Sequence, residues 1–232
     1  MIIIIIQMNW LIWLGLINLI SGFKQYTTNQ QKFIKSLEDS SKKLICVFGP
    51  AGTGKTHITC HHAMEKFRDK EINKIIITRP TISVEEEEIG FLPGTLNKKM
   101  DPWIQPLMDA FLEHYTSDQI YTLISTKKIE ICPLGFMRGR TFKNSFIIAD
   151  EMQNSTPNQM LMLSTRLGEG STMVLTGDIQ QKDTLGTSGL EDFIIKYKNF
   201  KKNKKQIDVI EFTKKDVKRS AIVSLIIAMY EP

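Results

Sequence analysis

The sequence predicts an α/β fold in which a mostly parallel β-sheet is covered by helices on both faces. Short apolar runs alternate with stretches of helical periodicity along most of the chain, and such alternation is typical of a parallel sheet. A glycine-rich loop joins the first apolar run to the helical stretch that follows it. Ligands bind such sheets at the carboxyl ends of the strands, and the polar motifs of this chain each follow a predicted strand.

The chain has 232 residues, which is enough for one domain and an appendage. We assign residues 26–232 to the domain and residues 1–25 to an apolar N-terminal segment. Strands are expected at 44–48, 74–78, 128–132, 145–150, 172–176 and 206–212. Helices are expected near 29–39, 54–67, 101–114, 156–166 and 216–229.

Residues 2–20 form an uncharged, mostly apolar stretch that is just long enough to span a bilayer. The lysines that follow it, beginning with Lys24, would keep the rest of the chain on the cytoplasmic side. Three interpretations stay open: a membrane anchor, an apolar arm packed on the domain or on a partner, or a leader ahead of a true start at Met8. The three cysteines are scattered, as is typical of reduced thiols. We therefore predict a cytoplasmic protein, with a membrane-anchored protein carrying a cytoplasmic domain as the alternative.

A phosphate-binding loop pattern follows the first predicted strand. It reads G-x-x-x-x-G-K-T and consists of Gly49, Pro50, Ala51, Gly52, Thr53, Gly54, Lys55 and Thr56. Its glycines let backbone N–H groups turn toward phosphate oxygens, and the helix that follows adds the positive end of its dipole. Lys55 is expected to reach the β- and γ-phosphates of a nucleotide, and the Thr56 hydroxyl to bind Mg²⁺.

Two acids end the fourth predicted strand. A buried strand leaves its C-terminal carboxylate little freedom, so Asp150 is expected at the Mg²⁺ across from Thr56. Glu151 then suits the role of the base that accepts a proton from an attacking water. The alternative is that both acids only cap the following helix.

The fifth predicted strand ends in Thr176-Gly177-Asp178 and leads to Gln181. This strand end lies beside that of Asp150 in the expected sheet, so Asp178 and Gln181 are predicted near the γ-phosphate. A polar turn at this place can sense the phosphate and move when it is hydrolysed. An ordinary turn without such a role is the alternative.

Several strings of this sequence, taken together and in order, resemble the PhoH-like (phosphate-starvation-inducible) ATPase family. They lie at residues 27–30, 49–56, 77–80, 89–103, 136–142, 150–154 and 176–181, and the resemblance covers roughly residues 26 to 230. The family is similar to the first RecA-like domain of superfamily 1 helicases. The resemblance therefore implies a RecA-like P-loop NTPase fold and Mg²⁺-dependent ATP hydrolysis coupled to single-stranded RNA or DNA.

The resemblance also assigns roles to three glutamines. It implies that Gln30 reads the adenine of ATP, and that Gln153 and Gln181 couple the state of the γ-phosphate to the substrate. The family pattern Asp-Glu-Ala-Gln reads Asp-Glu-Met-Gln at residues 150–153, which keeps each polar side chain.

Three arginines are candidates for an arginine finger, which neutralises charge in the transition state and is often supplied by a neighbouring subunit. They are Arg138, Arg140 and Arg219, of which Arg219 is our first choice. The chain holds a single RecA-like unit, so a finger in trans implies a homo-oligomeric ring, for example a hexamer. Surface arginines or arginines that bind nucleic acid are the alternative.

Six lysines lie within ten residues that contain no acid, in a chain of net charge +5. They are Lys196, Lys198, Lys201, Lys202, Lys204 and Lys205. Tyr197 and Phe200 are interleaved with them, a combination that suits contact with a single-stranded nucleic acid. A solvated, lysine-rich loop is the alternative.

Two other functions compete with ATP hydrolysis. One is a nucleotide-dependent assembly or scaffold protein with little turnover, against which the presence of Glu151 argues. The other is a P-loop kinase for a small molecule, an enzyme class that usually lacks a glutamate directly after the strand aspartate.

Overall fold

The computed structural model describes residues 26–80, 96–183, 185–218 and 229. Six strands form one sheet in the order β3-β2-β4-β5-β1-β6, and every neighbouring pair runs parallel. The strands are β1 (Leu44–Phe48), β2 (Lys74–Thr78), β3 (Ile129–Ile131), β4 (Ser145–Ala149), β5 (Thr172–Gly177) and β6 (Ile207–Glu211). The predicted fold class is therefore confirmed, with all six strands within about a residue of their expected bounds.

Helices cover both faces of the sheet. They are α1 (Thr28–Glu38), α2 (Lys55–Arg68), α3 (Leu96–Leu112), α4 (Ser117–Ser125), α5 (Pro157–Ser164) and α6 (Gly189–Asn199). Apolar residues of α1 to α4 share one core cluster with one face of the sheet, and those of α5 and α6 share a second cluster with the other face. The domain therefore has three layers, and the sheet is their middle one.

The apolar character of the strands follows from this burial on both faces. Ile45 and Val47 of β1 belong to the first cluster, whereas Cys46 and Phe48 belong to the second. Successive side chains of a strand point to opposite faces, so both sets must be apolar. This explains why the strands read as continuous apolar runs rather than as alternating patterns.

Two helices were not expected from the sequence. α4 begins with a capping box between Thr116 and Gln119 and buries Ile120 against the core. α6 is capped by Ser188 and carries its last lysines in its final turn, where they complement the helix dipole. The lysine-rich segment is therefore partly the end of a helix.

The described residues of the helix expected at 216–229 give a mixed outcome: its first residues are not in an α-helix, whereas Met229 is helical. Residues Lys214–Asp216 form a 3₁₀ turn, which Val217 and Lys218 follow without helical structure. Residues 219–228 lie outside the described residues, and so do residues 1–25 and 81–95. Arg219 and the apolar stretch 2–20 are among them. Across the described part of the chain, no helix is long and apolar enough to cross a membrane.

Candidate nucleotide-binding site

A cleft of about 460 Å³ opens at the carboxyl edge of the sheet, where the ends of β1, β2, β4 and β5 meet. Parallel strands bring their C-terminal residues to one edge, so the motifs that follow different strands converge there. The lining residues are Ala51, Gly52, Gly54, Lys55 and Thr56 of the loop, His57 of α2, Pro106, Asp109, Ala110 and Glu113 of α3, and Arg79, Asp150, Glu151, Gly177, Asp178 and Gln181 at strand ends.

The phosphate-binding loop needs glycine at its first position. Gly49 has φ = 140°, in the region that side chains rarely adopt. A Cβ atom there would lie 2.2 Å from the carbonyl oxygen of Phe212. The residue after β6 therefore packs directly against the start of the loop, and Phe212 N–H also donates to the Phe48 carbonyl at 2.7 Å.

Lys55 lies within the loop and is only 9% exposed. Its Nζ donates to the carbonyl oxygens of Gly49 at 2.6 Å and Pro50 at 2.8 Å. Desolvation lowers the pKa of Lys55, and the nearby carboxylates, first of all that of Asp178, act in the opposite direction. The ammonium group is thus held in place by the loop that surrounds it.

The predicted Mg²⁺ ligands lie side by side. Thr56 Oγ1 donates to Asp150 Oδ1 at 2.9 Å, and Thr176 at the end of β5 donates to the same oxygen. A hydroxyl and a carboxylate are the hard oxygen ligands that Mg²⁺ prefers, and in nucleotide sites phosphates and waters complete its shell. The two side chains therefore fit the ion.

Glu151 is held by a glutamine two residues further on. Its backbone has φ = 54°, in the left-handed region, which is uncommon for a residue other than glycine and is often found at functional sites. Gln153 Nε2 donates to Glu151 Oε2 at 2.5 Å, while Gln153 Oε1 accepts from the Asp178 N–H at 3.1 Å. The buried amide of Gln153 therefore links Glu151 to the end of β5.

Asp178 and Gln181 both line the cleft, as their places after β5 suggested. The Asp178 carboxylate accepts from the Gln180 N–H at 3.0 Å and so caps the 3₁₀ turn Ile179–Gln181. The Gln181 carbonyl accepts from Gln153 Nε2 at 3.3 Å. A Cβ atom at Gly177 would lie 2.6 Å from Gln153 Oε1, so this close approach requires glycine.

Gln30 lies beneath the loop and is buried. Its Nε2 donates to the Thr53 carbonyl at 2.9 Å and its Oε1 accepts from the Thr27 N–H at 2.9 Å. Asp216 adds a second support, because its carboxylate accepts from the Thr27 hydroxyl at 2.5 Å and from Asn29 Nδ2 at 2.8 Å. In this structure Gln30 therefore supports the loop, while a contact with adenine stays a prediction.

The two arginines of the Arg138–Arg140 pair occupy different environments. Arg140 Nη1 donates to Glu130 Oε1 at 2.6 Å, and its guanidinium lies 4.6 Å from the centre of the Phe142 ring. Arg138 is exposed. Neither belongs to the described lining of the cleft, so a role as a finger would have to be played in another subunit's site, and Arg140 would first have to leave Glu130.

Arg79 is a cleft residue that sequence reasoning missed. It directly follows β2, and its Nη2 lies 3.8 Å from Glu151 Oε1. The signal was available, since a polar residue at a strand end was the criterion that selected Asp150 and Asp178. His57 and Glu113, 3.7 Å apart between Nε2 and Oε2, were also missed because nothing in the sequence relates α3 to the loop.

The lysine-rich segment lies far from this cleft along the sheet. Residues 196–205 precede β6, so they lie at the amino edge. Lys204 Nζ lies 4.0 Å from the centre of the Tyr197 ring and donates to the Tyr197 carbonyl at 2.6 Å. Lys196 pairs with Asp192 at 2.6 Å. Two of the six lysines are thus engaged within the chain, and Phe200 is half-exposed.

Comparison with known proteins identifies the family. A family model described as PhoH-like protein matches residues 23–231. The PhoH-like protein of Mycobacterium tuberculosis (strain ATCC 25618 / H37Rv) is 39% identical over 206 residues, covering 88% of this chain and 56% of that protein. The PhoH-like protein of Bacillus subtilis (strain 168) is 39% identical over 205 residues, covering 88% of this chain and 63% of that protein. This chain therefore matches little more than half the length of these relatives.

A solved structure shares the fold at low sequence identity. The large terminase from a thermophilic bacteriophage aligns with a TM-score of 0.55 and 12% identity, covering 89% of this chain and 50% of the terminase chain. That likeness supports the parallel three-layer fold described above and nothing more specific. The family model covers nearly all of the domain, and the curated relatives are 39% identical to it. This chain therefore belongs to the PhoH-like protein family and has a P-loop NTPase fold.

Proposed function

We propose that this protein hydrolyses ATP with the help of Mg²⁺. The observation that carries the proposal is the convergence of Lys55, Thr56, Asp150 and Glu151 on one cleft. Lys55 and Thr56 come from the loop after β1, whereas Asp150 and Glu151 come from the end of β4, two strands away. The fold thus brings the phosphate-binding loop together with two acidic side chains that have different hydrogen-bond partners.

Each of these residues has a separate task in the proposed reaction. Lys55 neutralises the β- and γ-phosphates, and Thr56 and Asp150 hold the Mg²⁺, which supplies further positive charge to the phosphates when it is bound. Glu151 accepts a proton from the attacking water. The water oxygen forms a bond to the γ-phosphorus as the bond to the ADP oxygen breaks, and Gln153 orients the Glu151 carboxylate.

We further propose that hydrolysis is coupled to single-stranded RNA or DNA. The similarity of the family to helicase domains supports this partner, and Gln153 offers a physical link. It bonds both Glu151 and the turn after β5, so a change at the γ-phosphate can shift that turn. A ring of subunits, with Arg138, Arg140 or Arg219 supplied in trans, belongs to the same proposal.

The decisive experiment measures steady-state ATP turnover with and without single-stranded RNA and DNA, at several protein concentrations. We expect Mg²⁺-dependent release of phosphate, stimulation by one of the two nucleic acids, and a specific activity that rises as subunits assemble. Absence of phosphate release would favour the scaffold alternative, and a phosphorylated acceptor among the products would favour the kinase alternative.

Mixing two inactive variants tests the ring. A Glu151→Gln subunit retains its arginines, and an Arg219→Ala subunit retains its base, so mixed interfaces would carry both intact parts. We expect the mixture to regain activity. Full activity of a stable monomer would contradict the arrangement in trans.

A further inference from the structure

Arg79 and Glu151 are placed side by side by the pairing of two neighbouring strands. Thr78 of β2 pairs with Ala149 of β4, and the Asp150 N–H donates to the Thr78 carbonyl at 3.0 Å, which extends the ladder by one residue. Arg79 and Glu151 emerge from this ladder into the cleft. Pro80 follows Arg79 and restricts its backbone to extended conformations, so the guanidinium is directed by the strand.

The cleft has a surplus of negative charge before any nucleotide enters. Among the described residues that line it, Lys55 and Arg79 carry permanent positive charge. Against them stand five carboxylates, those of Asp109, Glu113, Asp150, Glu151 and Asp178. A triphosphate adds several more negative charges, and Lys55 alone serves the phosphates from within the loop. Arg79 is thus the second lining cation that the chain itself can offer.

The contact between Arg79 and Glu151 is loose, whereas the contact between Gln153 and Glu151 is tight. Arg79 Nη2 lies 3.8 Å from Glu151 Oε1, well beyond the 2.7–2.9 Å of a charge-assisted hydrogen bond. Gln153 Nε2 lies 2.5 Å from the other oxygen. Breaking this contact therefore gives up no close hydrogen bond between Arg79 and Glu151, and Gln153 still holds the carboxylate in place.

Building on the proposed ATP hydrolysis, we propose that Arg79 is a further catalytic residue. When ATP binds, the Arg79 guanidinium leaves Glu151 and binds the γ-phosphate instead. A guanidinium binds phosphate oxygens with two parallel hydrogen bonds and is the usual partner of a phosphate group. Without nucleotide, Arg79 neutralises Glu151. With ATP bound it neutralises the γ-phosphate and leaves Glu151 free to accept the proton of the water. The chain then supplies one arginine to its own site.

Affinity for tri- and diphosphate distinguishes this role from a structural one. The experiment measures dissociation constants of a fluorescent, non-hydrolysable ATP analogue and of fluorescent ADP, both with Mg²⁺. We expect Arg79→Ala to weaken binding of the ATP analogue about ten- to a hundredfold, the range of a hydrogen bond to a charged group, and to leave ADP binding unchanged. Arg79→Lys, which keeps the charge but not the planar fork, should restore part of the affinity.

Arg68→Ala is the matched control. Arg68 also pairs with an acid, Asp69, at 3.1 Å, but it ends α2, about 20 Å from the loop for a helix of this length. It should change neither dissociation constant. Steady-state kinetics of Arg79→Ala should in addition show a kcat reduced at least about a hundredfold, as expected when a charge-neutralising arginine is removed.

A second measurement tests the exchange itself. Removing the charge of Glu151 by Glu151→Gln should tighten binding of the ATP analogue, and most of this gain should vanish when Arg79→Ala is present as well. Equal weakening of ATP-analogue and ADP binding by Arg79→Ala, or no weakening of either, would overturn the inference. Because these readouts are affinities, wild-type protein that fails to hydrolyse ATP would refute the proposed function without deciding the role of Arg79.

Discussion

The carboxyl and amino edges of the sheet both carry many charged and polar residues, but they hold them in opposite ways. At the carboxyl edge Asp150, Gln153 and Asp178 are each at most 5% exposed and hydrogen-bonded to other residues of that edge. At the amino edge Lys201 and Lys202 are exposed to solvent. A buried carboxylate loses hydration and needs partners to replace it, whereas an exposed lysine costs almost nothing to maintain.

This difference indicates which charged residues are the better candidates for a functional role. Burial at the carboxyl edge restricts the orientation of each side chain, and backbone strain such as the left-handed conformation of Glu151 is often found at functional sites. Among the six lysines of the lysine-rich segment at the amino edge, side-chain contacts are described for Lys196 and Lys204. The carboxyl edge is therefore the stronger candidate for a catalytic site, whereas the amino edge presents exposed positive charge.

The largest effect is expected from Glu151→Gln at the carboxyl edge. It should not weaken ATP binding, and it should reduce turnover on the order of a hundredfold or more, the usual contribution of a general base. Glu169→Gln is the matched change at the amino edge, where Glu169 is exposed, and turnover should stay as in the wild type. Phosphate-release assays compare the two, and normal turnover by Glu151→Gln would mean that the base has been assigned wrongly.

A second test addresses the tight packing of the carboxyl edge. Gly49→Ala places a Cβ atom 2.2 Å from the Phe212 carbonyl at a φ of 140°, so we expect the free energy of unfolding to fall by roughly 1–3 kcal/mol or more. Gly135→Ala serves as the control because a Cβ atom there meets nothing within 4 Å. Denaturant unfolding measures both, and equal stability of the two variants would show that the loop can shift away from Phe212.

A third test asks whether the amino edge binds nucleic acid at all. Replacing Lys201, Lys202 and Lys205 by Gln spares Lys204, which packs on Tyr197. Turnover without nucleic acid should not change. The salt dependence of binding to single strands should flatten by up to about 0.7 in logarithmic slope for each phosphate that a lysine no longer neutralises. An unchanged slope in fluorescence-anisotropy titrations would identify these lysines as a solvated surface.

The smallest effect is expected at a paired carboxylate outside the cleft. Glu130 on β3 accepts from Arg140 at 2.6 Å and from Lys74 at 2.9 Å, and the Arg140 hydrogen bond is the main cause that lowers the pKa of Glu130 below its ordinary value of 4.5. The ionised form therefore stabilises the fold. This contribution is fully present above pH 4.5 and disappears as the pH falls through the lowered pKa.

Glu130→Gln should accordingly reduce the free energy of unfolding by up to about 1 kcal/mol at pH 7, the range of partly exposed ion pairs. The difference from wild type should shrink as the pH is lowered below 4.5, and turnover should not change. Urea unfolding at both pH values is the measurement. A drop in turnover would show that Glu130 or its partner Arg140 takes part in the reaction.

The sequence by itself determined the fold class, the strands and the residues of the phosphate-binding loop. Strands buried on both faces must be apolar throughout, and a loop that turns its N–H groups inward needs glycine, so both leave a local pattern. Asp150, Glu151, Asp178 and Gln181 could be placed at one edge because the carboxyl ends of parallel strands meet there. The helices α4 and α6 were not expected, although each begins at a capping residue, Thr116 or Ser188, with Gln119 or Glu191 three residues further on, which is a helix-start signal that the sequence does contain.

Only the tertiary structure decided which side chains touch. Arg79 and Glu151 lie close together because β2 is the neighbour of β4 in the sheet. No local sequence pattern predicts that strand order. The same holds for Asp216, which reaches Thr27 from the other end of the domain, and for Arg140, which looked equivalent to Arg138 until Glu130 was seen beside it. Local patterns reflect the backbone conformation of each segment, whereas contacts between segments depend on how the whole sheet is ordered.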